Sequence, residues 1–186
     1  MCFEKASVTN LIDKLIVIPN AIDPQCGQLQ IGDHLVPCML GRSGVYENKQ
    51  EGDGATPAGE FPLRRVLYRA DRIAAPKSTL ATTIIGESDG WCDEPNDPCY
   101  NLAVKLPYSA STEEMWREDH RYDVVVVIGY NDHPVVPGVG SAIFMHLTED
   151  DGGPTAGCIA VSLPDMLEIL KVIGPNSVVE IRVKAT

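Results

Sequence analysis

The chain has 186 residues, of which 44% are hydrophobic. This is enough for one domain with a substantial core and short for two. Its 26 acidic residues outnumber its 15 lysines and arginines, and the formal net charge of −11 argues against binding to nucleic acid or to an anionic membrane surface. No run of eighteen apolar residues occurs, and the start lacks the basic and apolar regions of a signal peptide. As written, the sequence is typical of a cytoplasmic protein without an integral membrane segment.

Most of the predicted elements are short strands separated by turns that contain glycine or proline. Near the N-terminus, KLIVIP (14 to 19), GQLQI (27 to 31) and HLVPCML (34 to 40) carry β-branched or alternating apolar residues. Gly32-Asp33 makes a compact turn between the second and third of these. The same pattern predicts further strands in EFPLRRVLYR, ATTII, YDVVVVIGY, SAIFMHL and SVVEIRVK.

Two helices are predicted. The first covers about 112 to 120, where Thr112 offers an N-cap oxygen and acidic residues follow in STEEMWREDH. The second follows Ser162 as LPDMLEILKVI, with Pro164 suited to a first helical turn and Gly174-Pro175 as its stop.

The strands and helices together indicate the fold class. The segment DVVVVIG is apolar throughout, which is typical of a strand buried on both faces. Strands and helices do not alternate, and the sequence has no internal repeat. We therefore predict a mainly β domain of two packed or partly closed sheets with peripheral helices.

Six cysteines are scattered along the chain without a repeated CxxC, so neither a zinc ribbon nor a small disulfide scaffold is indicated. Most are expected to be buried, reduced thiols. Cys92 and Cys99 bracket the turn-rich loop CDEPNDPC, which could carry a disulfide in an oxidising compartment. The acidic residues of this loop lack the spacing of a calcium loop and are expected to be solvated.

One histidine and one cysteine lie twelve positions apart in HLTEDDGGPTAGCIAVS. His146 falls near the end of a predicted strand, and Gly157 before Cys158 lets the backbone take a strained conformation or approach a ligand. A neighbouring imidazole can take a thiol proton, and N–H groups of a tight turn can bind the oxyanion that forms on an attacked carbonyl. The residue types alone also fit a structural histidine and a buried cysteine.

A second segment of the sequence adds to the interpretation of the histidine and cysteine segment. EGDGATPAGEFPL (51 to 63) is a loop that enters a strand, and TAGC (155 to 158) follows His146. Together they resemble the L,D-transpeptidase catalytic domain (YkuD) family, which carries DGxTPxGxF early and a histidine followed by (S/T)xGC late. The resemblance spans most of the chain. It implies an L,D-transpeptidase-like β-sandwich of mixed sheets with a few peripheral helices, formed by residues 1 to 186 as a single catalytic domain with its core at about 14 to 184.

The resemblance also implies a reaction. Family members cleave a peptidoglycan stem tetrapeptide after its third residue, hold the acyl group as a cysteine thioester, and pass it to an amine. Cys158 would then be the nucleophile, His146 the base, and the N–H groups of Gly157 and Cys158 the oxyanion hole. A backbone carbonyl usually holds the second nitrogen of the histidine, so Asp150 and Asp151 are expected to be solvated turn residues.

The chain departs from the family pattern beside the cysteine. Many members have SHGC(I/V)R, where this chain has Ala156 and Ala160 in place of the second histidine and the arginine. This difference is expected to affect which substrate the protein accepts more than the transfer reaction at the cysteine. Residues that could line a substrate groove, but that fit turn or core positions equally well, are Arg42, Trp91, Tyr100, Asn101, Asn131 and Thr155.

Several hypotheses stay open. The expected partner is a peptidoglycan-type stem peptide or another small peptide, and no cofactor is predicted. Water in place of the amine would make the protein an L,D-carboxypeptidase. A zinc site of His146, Cys158 and His133 or an acid lacks ordinary ligand spacing. A non-catalytic binding module is the remaining alternative. The family implies the cell envelope, whereas the sequence as written shows no export signal.

Overall fold

The mainly β prediction is confirmed. The computed structural model describes residues 11 to 148 and 152 to 183. It is 37% strand and 6% helix. In chain order its elements are β1 (Lys14–Pro19), β2 (Cys26–Ile31), β3 (His34–Met39), β4 (Val45–Tyr46), β5 (Thr56–Pro57), β6 (Gly59–Tyr68), β7 (Thr82–Ile84), β8 (Asp89–Cys92), β9 (Ala103–Lys105), β10 (Thr112–Glu114), β11 (Val124–Ile128), β12 (Phe144–Leu147), β13 (Ile159–Val161), α1 (Leu163–Val172) and β14 (Val178–Ile181).

The largest sheet is mixed and closes on itself. Its strands are neighbours in the order β11-β12-β13-β3-β2-β1-β14-β6, with β7 added beside β6, and β6 also pairs with β11. The long strand β6 allows this closure because Gly59 to Pro62 pair with β14 while Leu63 to Tyr68 pair with β11. Within this sheet, the strand pairs β1-β14, β12-β13 and β6-β7 are parallel, and the other pairs are antiparallel. Two smaller sheets, β10-β8-β9 and β4-β5, complete the described strands.

The hairpin of β2 and β3 forms as predicted. Ile31 pairs with His34 across Gly32 and Asp33, and Gly32 has φ +57°. Glycine adopts this left-handed conformation without the steric cost that a Cβ imposes.

Strand β11 is buried on both faces, as its apolar sequence predicts. Val124, Val126 and Ile128 pack in the main core, while Val125 and Val127 pack in a second cluster with aromatic residues. Each fully buried side chain of this kind contributes about 1.5–3 kcal/mol. The strand therefore ties the two apolar clusters to one backbone.

Helix α1 confirms the second predicted helix. The Asp165 N–H donates to Ser162 Oγ at 3.2 Å, which makes Ser162 the N-cap, and proline lies in the first turn. Met166, Ile169 and Leu170 face the main core. The helix follows β13, the strand after Cys158, in the chain and contacts β12, which carries His146.

The predicted helix at about 112 to 120 is wrong. Thr112 to Glu114 form β10, which pairs antiparallel with β8. Met115 is buried, and the Arg69 guanidinium lies 3.5 Å from the ring centre of Trp116. A cap and first-turn acids favour a helix by about 1 kcal/mol each. Strand pairing with β8 and burial of Met115 outweigh these local preferences.

The thiols of Cys92 and Cys99 are free in this structure, with Cys92 buried and Cys99 partly exposed. Asp150, Asp151 and Cys2 lie outside the described residues. No helix within residues 11 to 148 and 152 to 183 has both the length and the apolar character needed to span a membrane.

Replacing the cap of α1 tests its contribution to the fold. We expect Ser162→Ala to lower the free energy of unfolding by about 1 kcal/mol, because the Asp165 N–H loses its acceptor. Urea unfolding of the reduced protein measures this change. Ser109→Ala, at an exposed position, is the control and should unfold like the parent. Equal midpoints for both variants would contradict the assigned cap.

Candidate active site

His146 and Cys158 line one cavity of about 250 Å³. His146 lies on β12, and Cys158 immediately precedes β13, the parallel neighbour of β12. His146 is the register partner of Ala160, two residues beyond the cysteine. A larger cavity of about 460 Å³ lies beside Arg65 and Trp91 and contains neither residue. The chemistry of the lining, rather than the volume, identifies the smaller cavity as the candidate active site.

The Cys158 thiol is only 7% exposed and is held by backbone groups. Its Sγ donates to the carbonyl of Ala142 at 3.2 Å, and the Phe144 N–H donates to Sγ at 3.4 Å. Burial raises the pKa of the Cys158 thiol to about 12. In the resting site, sulfur therefore carries its proton at neutral pH.

The His146 imidazole is also buried, at 5% exposure. Its Nδ1 lies 2.8 Å from the carbonyl of Leu147. A carbonyl can only accept, so Nδ1 carries the proton and Nε2 keeps its lone pair. Burial lowers the pKa of His146 to about 4, and the ring of Tyr122 packs edge-on against the imidazole at a centroid distance of 5.3 Å. A neutral imidazole with a free lone pair is the form required of a general base.

Gly157 is required by the shape of the turn. It has φ +140°, and a Cβ at this position would lie 2.7 Å from the carbonyl oxygen of Ala55. Its N–H donates to Thr155 Oγ1 at 3.0 Å, while the same hydroxyl donates to the carbonyl of Cys158 at 2.7 Å. The Gly157 N–H thus already has an acceptor in this structure. Its part in an oxyanion hole stays a prediction.

The EGDGATPAGEFPL segment lies directly against this turn. Asp53 accepts hydrogen bonds from Gln50 N, Lys49 Nζ and Ala55 N at 2.7 to 2.8 Å. Burial alone would raise the pKa of Asp53, but these hydrogen bonds hold it below its ordinary value. Thr56 Oγ1 accepts from Gly41 N at 2.8 Å. These hydrogen bonds therefore hold in place the loop that packs against the cysteine turn.

Two of the candidate substrate-binding residues, Arg42 and Thr155, line the cavity with His146 and Cys158. Their segments are bonded together, because Arg42 N donates to the Thr155 carbonyl at 2.9 Å. The structure therefore brings these two residues to the site. Contact with a substrate stays a prediction for both.

The other four candidates make hydrogen bonds inside the protein. Among the described residues that line this cavity, none is Trp91, Tyr100, Asn101 or Asn131. Asn101 Oδ1 accepts from Trp91 Nε1 at 2.9 Å and from Ala142 N at 3.0 Å. Tyr100 Oη donates to Glu51 Oε2 at 2.5 Å, and Asn131 Nδ2 donates to the Gly140 carbonyl at 2.8 Å.

The Asn101 bonds bear on the position of the Cys158 thiol. Ala142 has φ +50°, a conformation that is costly for a residue with a Cβ, and its carbonyl is the acceptor of the Cys158 thiol. Asn101 and Trp91 thus support the backbone that holds the sulfur.

Several charged residues line the cavity that the sequence pattern did not predict. Lys49, Glu51, Asp93, Glu113 and Arg121 all face it. Lys49 and Glu51 had a usable signal, because Lys49 lies four residues before the motif aspartate with which it pairs and Glu51 opens the EGDGATPAGEFPL segment. Asp93, Glu113 and Arg121 come from segments whose approach depends on the tertiary fold. In the part of the chain that the structure describes, no group of three histidine, cysteine or acidic side chains is placed to hold a metal ion.

Comparison with known proteins assigns the family. The model of the L,D-transpeptidase catalytic domain (YkuD) matches residues 29 to 181, and the chain therefore belongs to this family. No curated protein sequence matches the chain. Among solved structures, Mycobacterium tuberculosis L,D-transpeptidase 1 is similar, with 12% identity and a TM-score of 0.40. The match covers 92% of this chain and 60% of that one, so this chain spans about 60% of the length of its structural relative.

Two glycines test the packing of the cysteine turn. Gly157 and Gly138 both have positive φ, but only a Cβ at Gly157 would meet neighbouring atoms. We expect Gly157→Ala to lower the free energy of unfolding by about 1–3 kcal/mol more than Gly138→Ala, because both variants bear the conformational cost and only one bears the clash. Urea unfolding measures the difference. Equal losses would show that the turn can move away from Ala55.

Proposed function

We propose that this protein is a cysteine acyltransferase of the L,D-transpeptidase type, with Cys158 as its nucleophile and His146 as its general base. The observation that carries the proposal is the pairing of a buried thiol and a carbonyl-held neutral imidazole in one cavity. Membership of the family supports it. The proposed substrate is a peptidoglycan-type stem peptide, and residues 1 to 186 are proposed to form a single catalytic domain.

The proposed reaction begins from neutral groups. As the Cys158 sulfur attacks the carbonyl after the third residue of the stem, His146 Nε2 takes the thiol proton. The oxyanion of the tetrahedral intermediate is stabilised by N–H groups of the cysteine turn. The C–N bond then breaks, and the leaving amine takes the proton from His146, which leaves a thioester on Cys158.

Transfer completes the cycle. The amine of a second stem attacks the thioester carbonyl and gives one proton to His146. The C–S bond breaks, the sulfur recovers that proton, and a new amide is released. Water in place of the amine would release a carboxylic acid, so product analysis by mass distinguishes transfer from L,D-carboxypeptidase activity.

Substitution of the two reacting residues tests the proposal. Family cysteines are typically acylated by carbapenems, because the strained carbonyl of the β-lactam meets the same nucleophile. We expect one carbapenem adduct on Cys158 by intact-protein and peptide mass spectrometry, and none in Cys158→Ala. His146→Ala should form the adduct about 10²-fold more slowly or worse. Cys99→Ala, which removes a partly exposed thiol, is the control and should react like the parent.

The same experiment separates the alternatives. An adduct without turnover of a stem tetrapeptide would support the nucleophile and place the difference in substrate specificity. No adduct on the folded, reduced parent protein would contradict the proposal and favour a non-catalytic binding module. Full activity of Cys158→Ala toward a tetrapeptide would exclude Cys158 as the nucleophile.

The pH dependence follows from the lowered pKa of His146. Because burial lowers this pKa to about 4, the imidazole stays neutral at mildly acidic pH and is protonated only as the pH falls through that region. We expect the rate of carbapenem acylation to have no inflection near pH 6.5, the ordinary histidine value, and to decline only near pH 4. Circular dichroism at each pH checks that the protein stays folded. The midpoints belong to the coupled His146 and Cys158 pair. A midpoint near 6.5 would contradict a buried base.

A further inference from the structure

Lys49 lies in a slot between two glycines beside the cysteine turn. A Cβ on Gly140 would lie 2.9 Å from its Cε, and a Cβ on Gly157 would lie 3.4 Å from its Nζ. The side chain of Lys49 is only 2% exposed. The absence of side chains on both glycines is what leaves room for the lysine. Its ammonium is thereby placed next to the residue that precedes Cys158.

The ammonium is bound by Asp53 of the EGDGATPAGEFPL loop and by the backbone of Gln50 just before it. Its Nζ lies 2.7 Å from Asp53 Oδ1 and 3.3 Å from the carbonyl of Gln50. Burying an ammonium costs desolvation energy that a neutral side chain of similar length would not incur. Lys49 nevertheless lines the cavity that contains His146 and Cys158. A packing role alone does not require a charge at this position.

We propose that the Lys49 ammonium makes the electrostatic potential at the Cys158 sulfur more positive and so favours the negative charge that develops there during attack. This inference rests on the proposed role of Cys158 as the nucleophile. Lys49 would act on Cys158 through its charge and would not itself touch the substrate. It is therefore a positioning residue and not a catalytic residue. The buried site strengthens the effect, because a low local dielectric screens the charge less than water does.

The other charged groups around the cavity do not replace Lys49. Arg42 and Arg121 add positive charge, and Glu51, Asp93 and Glu113 add negative charge. Burial is the main cause of the raised pKa of the Cys158 thiol; Glu113 raises that pKa further, and Lys49 opposes the rise. The charged side chains of the lining are balanced in formal charge, so removing one of them changes the potential at sulfur. Lys49 lies beside Gly157, the residue before Cys158, because a Cβ on Gly157 would lie 3.4 Å from Lys49 Nζ.

The preference of Cys158 for an anionic over a neutral alkylating reagent measures this potential. Iodoacetate and iodoacetamide both react with the thiolate, so the ratio of their rates cancels the fraction of thiolate and reports the local charge. Quantitative peptide mass spectrometry gives the ratio at Cys158 apart from the other cysteines. We expect Lys49→Met to lower the iodoacetate-to-iodoacetamide ratio by about threefold or more.

Two further variants keep the test decisive. Lys105→Met removes an exposed lysine that pairs with Asp89 and should leave the ratio at Cys158 unchanged. Lys49→Gln retains a donor for Asp53 and is used if Lys49→Met does not fold; it should lower the ratio to a similar extent. An unchanged ratio in a folded Lys49 variant, or an equal decrease in Lys105→Met, would overturn the proposal.

The alkylation test of Lys49 and the carbapenem test of the proposed function can fail independently. If carbapenem acylates Cys158 in the parent while the ratio does not respond to Lys49, the nucleophile stands and only the role of Lys49 fails. If the parent forms no carbapenem adduct, the proposed function fails, whatever the alkylation ratio shows.

Discussion

The site depends on the direct packing of one loop against another. The Ala55 carbonyl occupies the space into which any side chain at position 157 would extend, 2.7 Å from the position of a Cβ. Glycine alone lets the cysteine turn approach this closely. The same approach places Lys49 beside the turn and Thr56 Oγ1 3.5 Å from the Cys158 carbonyl. A loop about one hundred residues earlier in the chain thereby supports the turn that carries Cys158.

Burial sets the protonation state of Cys158 and His146. Low solvent exposure disfavours charge on both side chains, so both are neutral at neutral pH. In the proposed reaction, separated charge would form in a cavity whose polar groups are already oriented. Such preorganised groups stabilise developing charge without the reorganisation that water requires. The charged side chains around the cavity, which are balanced in sign, are consistent with such stabilisation of developing charge.

The support for the sulfur extends beyond its own segment. Ala142 is held in a left-handed conformation by Asn101, which Trp91 in turn contacts, and the Ala142 carbonyl accepts a hydrogen bond from the Cys158 thiol. Backbone strain of this kind persists only where surrounding contacts determine it. The closed sheet supplies the rigid frame, because His146 on β12 and Cys158 just before β13 lie on adjacent strands.

The sequence by itself determined the mainly β class, the β2-β3 turn, helix α1 and the family motifs around His146 and Cys158, because these depend on local patterns of apolar residues, caps and glycines. Tertiary structure decided the rest. Strand pairing with β8 made residues 112 to 114 a strand, and internal hydrogen bonds gave Asn101 a supporting position instead of one in the cavity. Lys49 reached the cysteine turn only because two distant loops pack through glycines. Contacts between segments far apart in the chain leave no periodic signal in the sequence, and only the fold brings them together.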